Sequence, residues 1–502
     1  MSNPGFNPAK TPFSRVFLIK GKARADHDPS YEGVMMAGGA QQSFGEPTPI
    51  QAPSATAYNQ FDEVGETLGS VDRATTSLTG LFPADVLSTM LAIAKARCPL
   101  DVQIHIGQCA DPRNFNKFQK IVVLEQTYFS DWSTEDLGAL QSDQAAKVDE
   151  TVEVSAARLY EIVPLAVAKY GADTVTNPLV DVIICSSLNC GDCGDEDDGC
   201  EKVFAVSRSS PGSPGTGPDV IYSSNGGTVL GSDEITTLSN SQDADGVACL
   251  DSYVLVVSND EGYLHYKAKA TILAGTAGGW AEIATGFVAG GNPKDIWGVG
   301  SYAFICGDGG YIYGTSDAEV GVTVLDAGVA TTEDLKAIHA LDDKFAVAVG
   351  DSGAIVQTKN RTEWSSVTGP TGISDSFQAV WLKNKDEWFI GSDAGGLYYT
   401  VDGGTTWVTK VIPGSLTSVW DITMPTASVV YVSGAAAGPA GKILRSYDSG
   451  HSFVVLPEDQ GSLPSNDQIT ALASCPWDPN VVIGVGIADD GSDGVWMRGK
   501  GA

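Results

Sequence analysis

The sequence predicts a mainly β protein with more than one domain, and three observations lead to this prediction. At 502 residues the chain is longer than one ordinary hydrophobic core supports. Its 42% hydrophobic and 18% charged residues, with 58 glycines that follow no collagen-like period, are typical of a turn-rich globular protein. Apolar strands and glycine-containing turns then alternate through the C-terminal part of the chain, which favours β-sheets over helices.

The N-terminal part, residues 1–180, is predicted to form one sheet system with a single helix. VFLIKG (16–21) predicts a strand, and residues 23–70 predict a long loop or extended arm, because their few apolar residues follow no period. A helix is predicted over residues 83–97, beginning at Pro83 and presenting Val86, Leu87, Met90, Leu91 and Ala94 on one face. DVQIHIGQ, KIVVLEQTYF and ETVEVSA predict the strands that follow.

A cysteine-rich, acidic joint is predicted over residues 181–201. Cys185, Cys190, Cys193 and Cys200 follow the pattern C-x4-C-x2-C-x6-C. Two disulfides among these four residues, a structural zinc site or free thiols are the three interpretations, and each of them is structural rather than catalytic. The remaining cysteines are interpreted as isolated, buried apolar residues: Cys98, Cys109, Cys249, Cys306 and Cys475.

An internal repeat fills residues 202–502. Each copy is an apolar strand, a glycine-containing turn and a second strand, and neighbouring copies lie about 42 to 51 residues apart. The copies span residues 218–227, 253–266, 302–315, 345–358, 388–400, 429–446 and 481–497. This period is that of β-propeller blades, and radial closure protects the sheet edges from aggregation, so we predict a seven-bladed β-propeller.

Two copies end in a hairpin that resembles the Asp-box, Ser/Thr-x-Asp-x-Gly-x-Thr/Ser-Trp/Phe. The residues are Asp402, Gly404 and Trp407 in the first hairpin and Asp448, Gly450 and Phe453 in the second. TKNRTEW (358–364) is a degenerate third version. In this turn we expect the Asp to cap the backbone, the Gly to take a left-handed conformation and the aromatic residue to pack between sheets.

No residue is predicted to be catalytic, no cofactor is predicted, and we predict that the chain is not an enzyme. Asp-box propellers include sialidases, which need clustered arginines and a tyrosine beside a glutamate. Beyond residue 200 the arginines are only Arg208, Arg361, Arg445 and Arg498, none in that family's sequence context. The five histidines lack metal-binding spacing, and phosphate-binding glycine loops and the GxSxG motif are absent from the sequence. A glycosidase is therefore the least favoured function.

The charge is −32, made up of −7 in residues 1–180 and −25 in the remainder. Such an acidic surface repels phosphate and lacks a basic stripe, so we expect no specific nucleic-acid binding. The sequence also predicts neither a signal peptide nor a membrane span.

Residues 10–170 resemble the major tail tube proteins of siphophages, the phages with long non-contractile tails. Three stretches prompt this resemblance: 15–33 (RVFLIKGKARADHDPSYEG), 75–120 and 131–165. It implies a β-sandwich flanked by a helix, hexameric rings whose inner strands join into one barrel, and stacking of rings into a tube through which DNA passes. It further implies tape measure, terminator and distal tail proteins as partners, location in the virion tail and assembly in the host cytoplasm.

With this resemblance we expect a structural virion protein that carries its propeller outside the tube. An adsorption protein that binds host surface sugars through the propeller is the alternative. A cellular assembly factor of the kind that uses Asp-box-type propellers is disfavoured by the tube-like N-terminal sequence.

Overall fold

The structure is a computed structural model in which the chain divides into two compact units, Met1–Pro164 and Leu165–Ala502. It describes the strands of the first unit and residues 163–169, 177–185, 200, 202–208, 218–238, 242–259, 262–283, 286–316, 321–436, 441–456, 467–476, 478–488 and 493–501. Within this described part, no helix is long and apolar enough to cross a membrane.

The described strands of the first unit form one eight-stranded antiparallel sheet. Its strands are β1 Phe13–Lys20, β2 Val34–Gly38, β3 Gln42–Ser43, β4 Ala74–Gly80, β5 Leu100–Gly107, β6 Phe118–Thr134, β7 Glu150–Ala156 and β8 Arg158–Ile162. They follow the order β2-β1-β5-β6-β7-β4-β3, and β8 also pairs with β6. The long strand β6 therefore connects two halves of the sheet.

The two ends of this strand path lie close together. Strands β2 and β3 stand at opposite ends of the order, but only residues 39–41 separate them in the chain. Four Cα–Cα steps span at most about 15 Å, so the sheet has to curl until its ends approach each other. Ile121, Val122, Val123 and Leu124 of β6 are all buried, as expected for a strand covered on both faces.

The strands predicted in the first unit are confirmed, and part of the predicted arm is not a loop. VFLIKG lies in or at the end of β1, and the other three predicted segments correspond to β5, β6 and β7. Within residues 23–70, however, β2 and β3 form because they pair with β1 and β4. Backbone pairing across the sheet outweighs the missing local period. The predicted helix over residues 83–97 lies outside the described residues.

In the second unit, the described residues form seven four-stranded antiparallel sheets. Sheet 1 has β10 Leu179–Ile184, β11 Val203–Ser207, β12 Asp219–Ser223 and β13 Gly231–Glu234; sheet 2 has β14 Gly246–Cys249, β15 Tyr253–Ser258, β16 Tyr263–Ala268 and β17 Ala281–Ile283. Sheet 3 has β18 Pro293–Val299, β19 Tyr302–Gly307, β20 Tyr311–Ser316 and β21 Thr323–Ala327; sheet 4 has β22 Leu335–Ala340, β23 Ala346–Gly350, β24 Ile355–Thr358 and β25 Trp364–Ser366. Sheet 5 has β26 Phe377–Leu382, β27 Trp388–Ser392, β28 Leu397–Thr400 and β29 Val408–Thr409; sheet 6 has β30 Leu416–Thr423, β31 Val430–Ala436, β32 Gly441–Ser446 and β33 Val454–Val455. Sheet 7 has β34 Gln468–Ser474, β35 Val482–Ile487 and β36 Gly494–Gly501, and its fourth strand is β9 Leu165–Lys169. A short helix, α1 Lys269–Leu273, follows β16.

The first strands of the seven sheets, here called the inner strands, contact one another in sequence. Strand β10 contacts β14, β14 contacts β18, and so on to β34, which contacts β10 again. Strand β9, from the start of the unit, pairs with β36 at its end. The two termini of the unit therefore share one sheet, which closes the series of sheets on itself.

Each copy of the sequence repeat lies in a different sheet. Six copies correspond to the second and third strands of sheets 2 to 7, and the copy at residues 218–227 contains β12 and the turn after it. The second strands are almost wholly buried, as in Ala346–Gly350, which explains their continuous apolar sequence. Strands β9 and β10, which the sequence analysis assigned to the first domain and the start of the joint, are parts of sheets 7 and 1.

Candidate functional site

A β-bulge turns one residue of most inner strands out of its hydrogen-bonded ladder. In six of the seven described inner strands, the register with the partner strand shifts at the residue that precedes an Asp or Ala, and β30 has a second shift at Thr417. The residues at this position are Val180, Lys294, Lys336, Gln378, Trp420 and Thr470, and all six line one cavity. Because bulges redirect side chains, the repeated bulge directs six side chains, here called the bulge ring, toward the cavity.

The two lysines of this ring are fixed by acidic residues at one end of the sheets. The Lys294 ammonium group contacts Asp308 and lies 3.5 Å from Asp334. The Lys336 ammonium group lies 2.6 Å from Asp351 and donates to Ser376 Oγ at 2.8 Å. Burial alone would lower the pKa of Lys294, but Asp308 and Asp334 raise it above its ordinary value. Lys294 is therefore charged.

Three aspartates follow the bulge and connect neighbouring inner strands. Asp181 accepts hydrogen bonds from Val182 N at 2.8 Å and from Val247 N of the next sheet at 2.7 Å. Asp295 accepts from Ile296 N and Ile338 N, both at 2.8 Å. Asp421 accepts from Ile422 N and Leu472 N, both at 2.7 Å. Each carboxylate thus bonds the backbone of its own sheet and of the next.

These three carboxylates share the cavity and influence one another. Their side chains are half-buried and line the same space. Burial raises the pKa of Asp181 well above its ordinary value, and the charge of Asp295 raises it further. Burial likewise raises the pKa of Asp295 to about 6 and that of Asp421 to about 7. Loss of solvation on burial outweighs the backbone hydrogen bonds that each carboxylate accepts, and repulsion from Asp295 raises the pKa of Asp181 and Asp421 further.

Aromatic side chains lie three residues further along the inner strands, about 10 Å from the bulge. The rings of Trp297 and Trp381 meet edge to face, with centroids 5.3 Å apart. The His339 ring lies 4.2 Å from both. Burial lowers the pKa of His339 to about 3, so this imidazole is neutral. The three rings narrow the space between sheets 3 and 5.

The resulting cavity has a volume of about 420 Å³ and is lined by inner-strand residues of all seven sheets. Asp308 and Asp351 lie in turns between second and third strands, so the bulge ring is near the end of the sheets that carries these turns. The aromatic residues are deeper. This volume and the mixture of charged, amide and aromatic groups are typical of a small-molecule site.

The Asp-box residues lie in turns between third and fourth strands, at the opposite end of the sheets. Asp402 accepts hydrogen bonds from Thr406 N at 2.7 Å and from Thr406 Oγ1 at 2.6 Å, and Asp448 makes the same pair with Ser452 at 2.8 and 2.6 Å. Gly404 and Gly450 have φ of 85° and 80°. The Trp407 ring packs edge to face against Trp388, and Phe453 is buried. These residues build the turns and are remote from the cavity.

Two further turns use asparagine in the Asp position. Asn225 accepts from Ser223 Oγ at 2.8 Å and from Val229 N at 2.9 Å. Asn360, in the predicted degenerate version, accepts from Glu363 N at 2.9 Å. The turn at Ser223 escaped the sequence analysis because Val229 and Leu230 replace the hydroxyl and aromatic residues of the motif.

Cys185 and Cys200 form disulfides, but with cysteines far away in the sequence. Cys185 pairs with Cys249, and Cys200 pairs with Cys475. The interpretation of Cys249 and Cys475 as isolated thiols was therefore wrong, because the closing of the sheets brings them to residues near the joint. A half-cystine has no thiolate to give a metal, so the four-cysteine zinc alternative is wrong too. Cys306 is buried and free, while Cys190 and Cys193 lie outside the described residues.

A tyrosine–glutamate pair of the kind that sialidases use is present but buried. The Tyr399 hydroxyl donates to Glu387 at 2.7 Å, and the same carboxylate lies 2.8 Å from Lys383 Nζ. Tyr399 and Glu387 are 2% and 9% exposed, and neither lines the cavity. This pair packs sheet 5 and has no access to a substrate.

The sequence analysis missed the bulge ring and the three bridging aspartates. A signal for them exists: VDV, KDI and WDI contain the aspartates, and KAI, QAV and TAL occupy the same register in the other sheets. Aligning the inner strands, rather than the second and third strands, would have shown a constant Asp/Ala position beside a variable one.

No family model matches the sequence, and no curated protein does. Among solved structures, streptogramin B lyase has a TM-score of 0.51 and 11% identity over 67% of this chain and 98% of that one. The WD40 β-propeller domain of Doa1 has a TM-score of 0.48 and 13% identity over 68% of this chain and 98% of that one. YCF48 bound to D1 peptide has a TM-score of 0.48 and 15% identity over 67% of this chain and 97% of that one. At such identities likeness shows the fold alone: the chain contains a β-propeller, as predicted.

Proposed function

We propose that this protein is a subunit of the tail tube of a long, non-contractile phage tail, with a seven-bladed β-propeller as an exterior decoration. In this proposal the first unit builds stacked hexameric rings with other copies of the chain. Tape measure, terminator and distal tail proteins are its further partners, and DNA passes through the lumen without specific binding. The protein acts in the virion tail, after assembly in the host cytoplasm, and performs no catalysis.

The observation that carries the proposal is the sheet of the first unit, together with its sequence resemblance to tail tube proteins. Among the described strands, β2 and β3 each pair on one side only. An unpaired edge exposes backbone donors and acceptors that a strand of another copy can complete. A curled sheet with such edges supports a subunit whose strands continue into those of its neighbours.

The second unit supports the role of an appended body. Its seven described sheets support seven blades, and pairing of β9 with β36 adds a strand from the start of the unit to its last sheet. Its folding therefore does not require strands of another subunit. The charge of −25 in residues 181–502 favours solubility and repulsion between crowded copies around a tube.

The test is negative-stain electron microscopy of the purified full chain beside a chain that ends at Pro164. We expect stacked rings with a central channel and peripheral knobs, and we expect the knobs alone to disappear on truncation. Co-expression with the candidate phage's own tail proteins supplies an assembly initiator.

A matched variant, Met35→Pro, removes one backbone N–H from a residue of the edge strand β2 that pairs with Phe17, and disfavours pairing there. It should abolish tubes while leaving the melting of the propeller unchanged. Monomers under all conditions, or tubes that persist when residues 1–164 are deleted, would show that the first unit does not build the tube.

A further inference from the structure

The cavity at the bulge ring contains side chains that differ between repeats, within a framework that hardly differs. Before the bulge the repeats have Leu179, Pro293, Leu335, Phe377, Val419 and Ile469, all apolar. After it they have only Asp or Ala. At the bulge itself stand an isopropyl group, two ammonium groups, an amide, an indole and a hydroxyl. The apolar position before the bulge packs the sheets, so the chemical variety falls at the bulge position, which lines the cavity together with the Asp/Ala position after it.

Several groups in the bulge ring and directly after it keep hydrogen-bonding capacity. An ammonium group has three N–H donors, and Lys294 and Lys336 each use two on fixed partners. Gln378 Nε2 donates to Ser376 Oγ at 3.3 Å, which leaves its carbonyl oxygen as an acceptor. The carboxylates of Asp181, Asp295 and Asp421 each accept two backbone hydrogen bonds, fewer than their lone pairs allow. Donors and acceptors thus converge on one space.

Aromatic surface completes the lining. Trp420 stands in the bulge ring, and Trp297 and Trp381 lie deeper; all three are half-buried and line the cavity. Indole faces suit the C–H faces of a sugar ring, while planar amide and carboxylate groups and ammonium donors suit its hydroxyl groups.

The charges favour a neutral ligand over a cation. Four acids line the cavity, Asp181, Asp245, Asp295 and Asp421, but so do Arg208, Lys294 and Lys336. An organic cation would approach three bases, and the described residues contain no group of three His, Cys, Asp or Glu side chains that could hold a metal ion. The hydroxyl groups of a neutral polyhydroxylated ligand can donate hydrogen bonds to the acids and accept them from the bases.

We propose that the channel of the propeller is a binding site for a neutral mono- or disaccharide, recognised by Lys294, Lys336, Gln378 and Trp420. The proposal deepens the role given above to the propeller and rests on the tail-tube function only for its biological meaning. Binding is measured on the purified chain whether or not tubes form, so failure of either proposal is recognised separately.

The experiment is a titration of the full chain with neutral hexoses, N-acetylhexosamines, deoxyhexoses and their disaccharides, followed by calorimetry and tryptophan fluorescence. We expect at least one saccharide to bind with a Kd of about 1 mM or tighter, an ordinary strength for a small polar ligand. Lys336→Met, which keeps the aliphatic stem, should weaken binding at least about five-fold, since it removes a charged donor. Trp420→Leu should do the same without disturbing the lysine pairs.

Lys385→Met is the matched control, because the Lys385 side chain is 62% exposed and pairs with Asp342 outside the cavity. It should bind the saccharide as the unaltered chain does. The proposal is overturned if no saccharide binds up to about 50 mM, a limit well above the expected Kd. It is equally overturned if Lys336→Met and Trp420→Leu both bind normally, or if choline binds the cavity and saccharides do not.

Discussion

Replacing both Cys200 and Cys475 by serine should lower the stability of the propeller by several kcal/mol. This disulfide joins Cys200, just before β11 of sheet 1, to Cys475, just after β34 of sheet 7, so it crosses the seam where the unit closes. Without it, only non-covalent contacts between sheets 7 and 1, including those of β10 with β34 and β35, hold the seam. Without the cross-link the unfolded chain has a higher conformational entropy, which lowers the free energy of unfolding.

The magnitude follows from the length of chain that the cross-link encloses. For a separation of 275 residues, loop-closure entropy gives about 5.6 kcal/mol at 25 °C, an upper value because native strain and residual structure reduce it. Cys185–Cys249 encloses 64 residues, which gives about 4.3 kcal/mol. The longer loop should therefore matter more, by about 1.3 kcal/mol. For the unit Leu165–Ala502, a loss of 3 to 5.6 kcal/mol corresponds to a fall in Tm of about 4 to 8 °C.

The assay is differential scanning calorimetry of the oxidised protein, with and without a reductant. Cys200→Ser/Cys475→Ser should melt below the unaltered chain, and reductant should shift the variant less than the unaltered chain because one target has gone. Cys185→Ser/Cys249→Ser is the matched comparison, and Cys306→Ala controls for loss of a buried free thiol. The claim that this cross-link stabilises the closed seam would be refuted if the Tm of the variant lay within about 1 °C of that of the unaltered chain, well below the expected fall.

Three further predictions concern single residues. The folded-state pKa of Asp421, about 7, exceeds its ordinary value of 3.8, so between these pH values the folded protein binds more protons than the unfolded chain. The free energy of unfolding therefore falls as the pH rises from about 4 to about 7. Asp421→Asn should reduce the slope of this fall by about 1 kcal/mol per pH unit, measured by denaturant titrations at several pH values. A slope equal to that of the unaltered chain would contradict the assignment. Asp402→Ala should lower the free energy of unfolding by about 1 to 2 kcal/mol in the same titrations, because Thr406 loses two hydrogen bonds. Asp402→Asn should lower it much less, since Asn225 occupies this position in the equivalent turn of sheet 1. Equal losses of stability in the two variants would count against this equivalence. Gly404→Ala should lower the free energy of unfolding by about 2 to 4 kcal/mol, because φ is 85° and a Cβ would lie 2.4 Å from Val367 Cγ1. Gly372→Ala is the control for backbone strain alone, because its φ is 79° and a Cβ there would contact nothing. Similar melting of the two glycine variants would exclude the steric contribution.

The propeller could be predicted because its signal is local and repeated. A buried second strand and a glycine turn recur in every repeat, and the strands that they predict, such as Ala346–Gly350, are covered on both faces by neighbouring sheets. The Asp-box turns were predictable for the same reason: Thr400, Asp402 and Gly404 bond one another within a few residues. Where all partners lie inside one hairpin, sequence spacing alone determines the geometry.

The features that escaped prediction depend on partners distant in the chain. Cys475 lies 275 residues from Cys200, and no spacing rule connects them before the sheets close. β9 looks like the end of one domain, yet its partner β36 is the last strand of the other. β2 and β3 have no local period because their pairing to β1 and β4 supplies what their sequence lacks.

The bulge ring is a third kind of case, in which local sequence and distant structure must be combined. Lys336 and Gln378 are unremarkable polar residues in strands, and each would ordinarily be assigned to a solvated face. Their common direction appears only when β22 and β26 are aligned by their bulges and placed around one axis. Packing between the sheets keeps the apolar residue before the bulge and the small or acidic residue after it, because both contact the next sheet. The position between them is released from packing, and it is there that the chain places groups with unused hydrogen-bonding capacity.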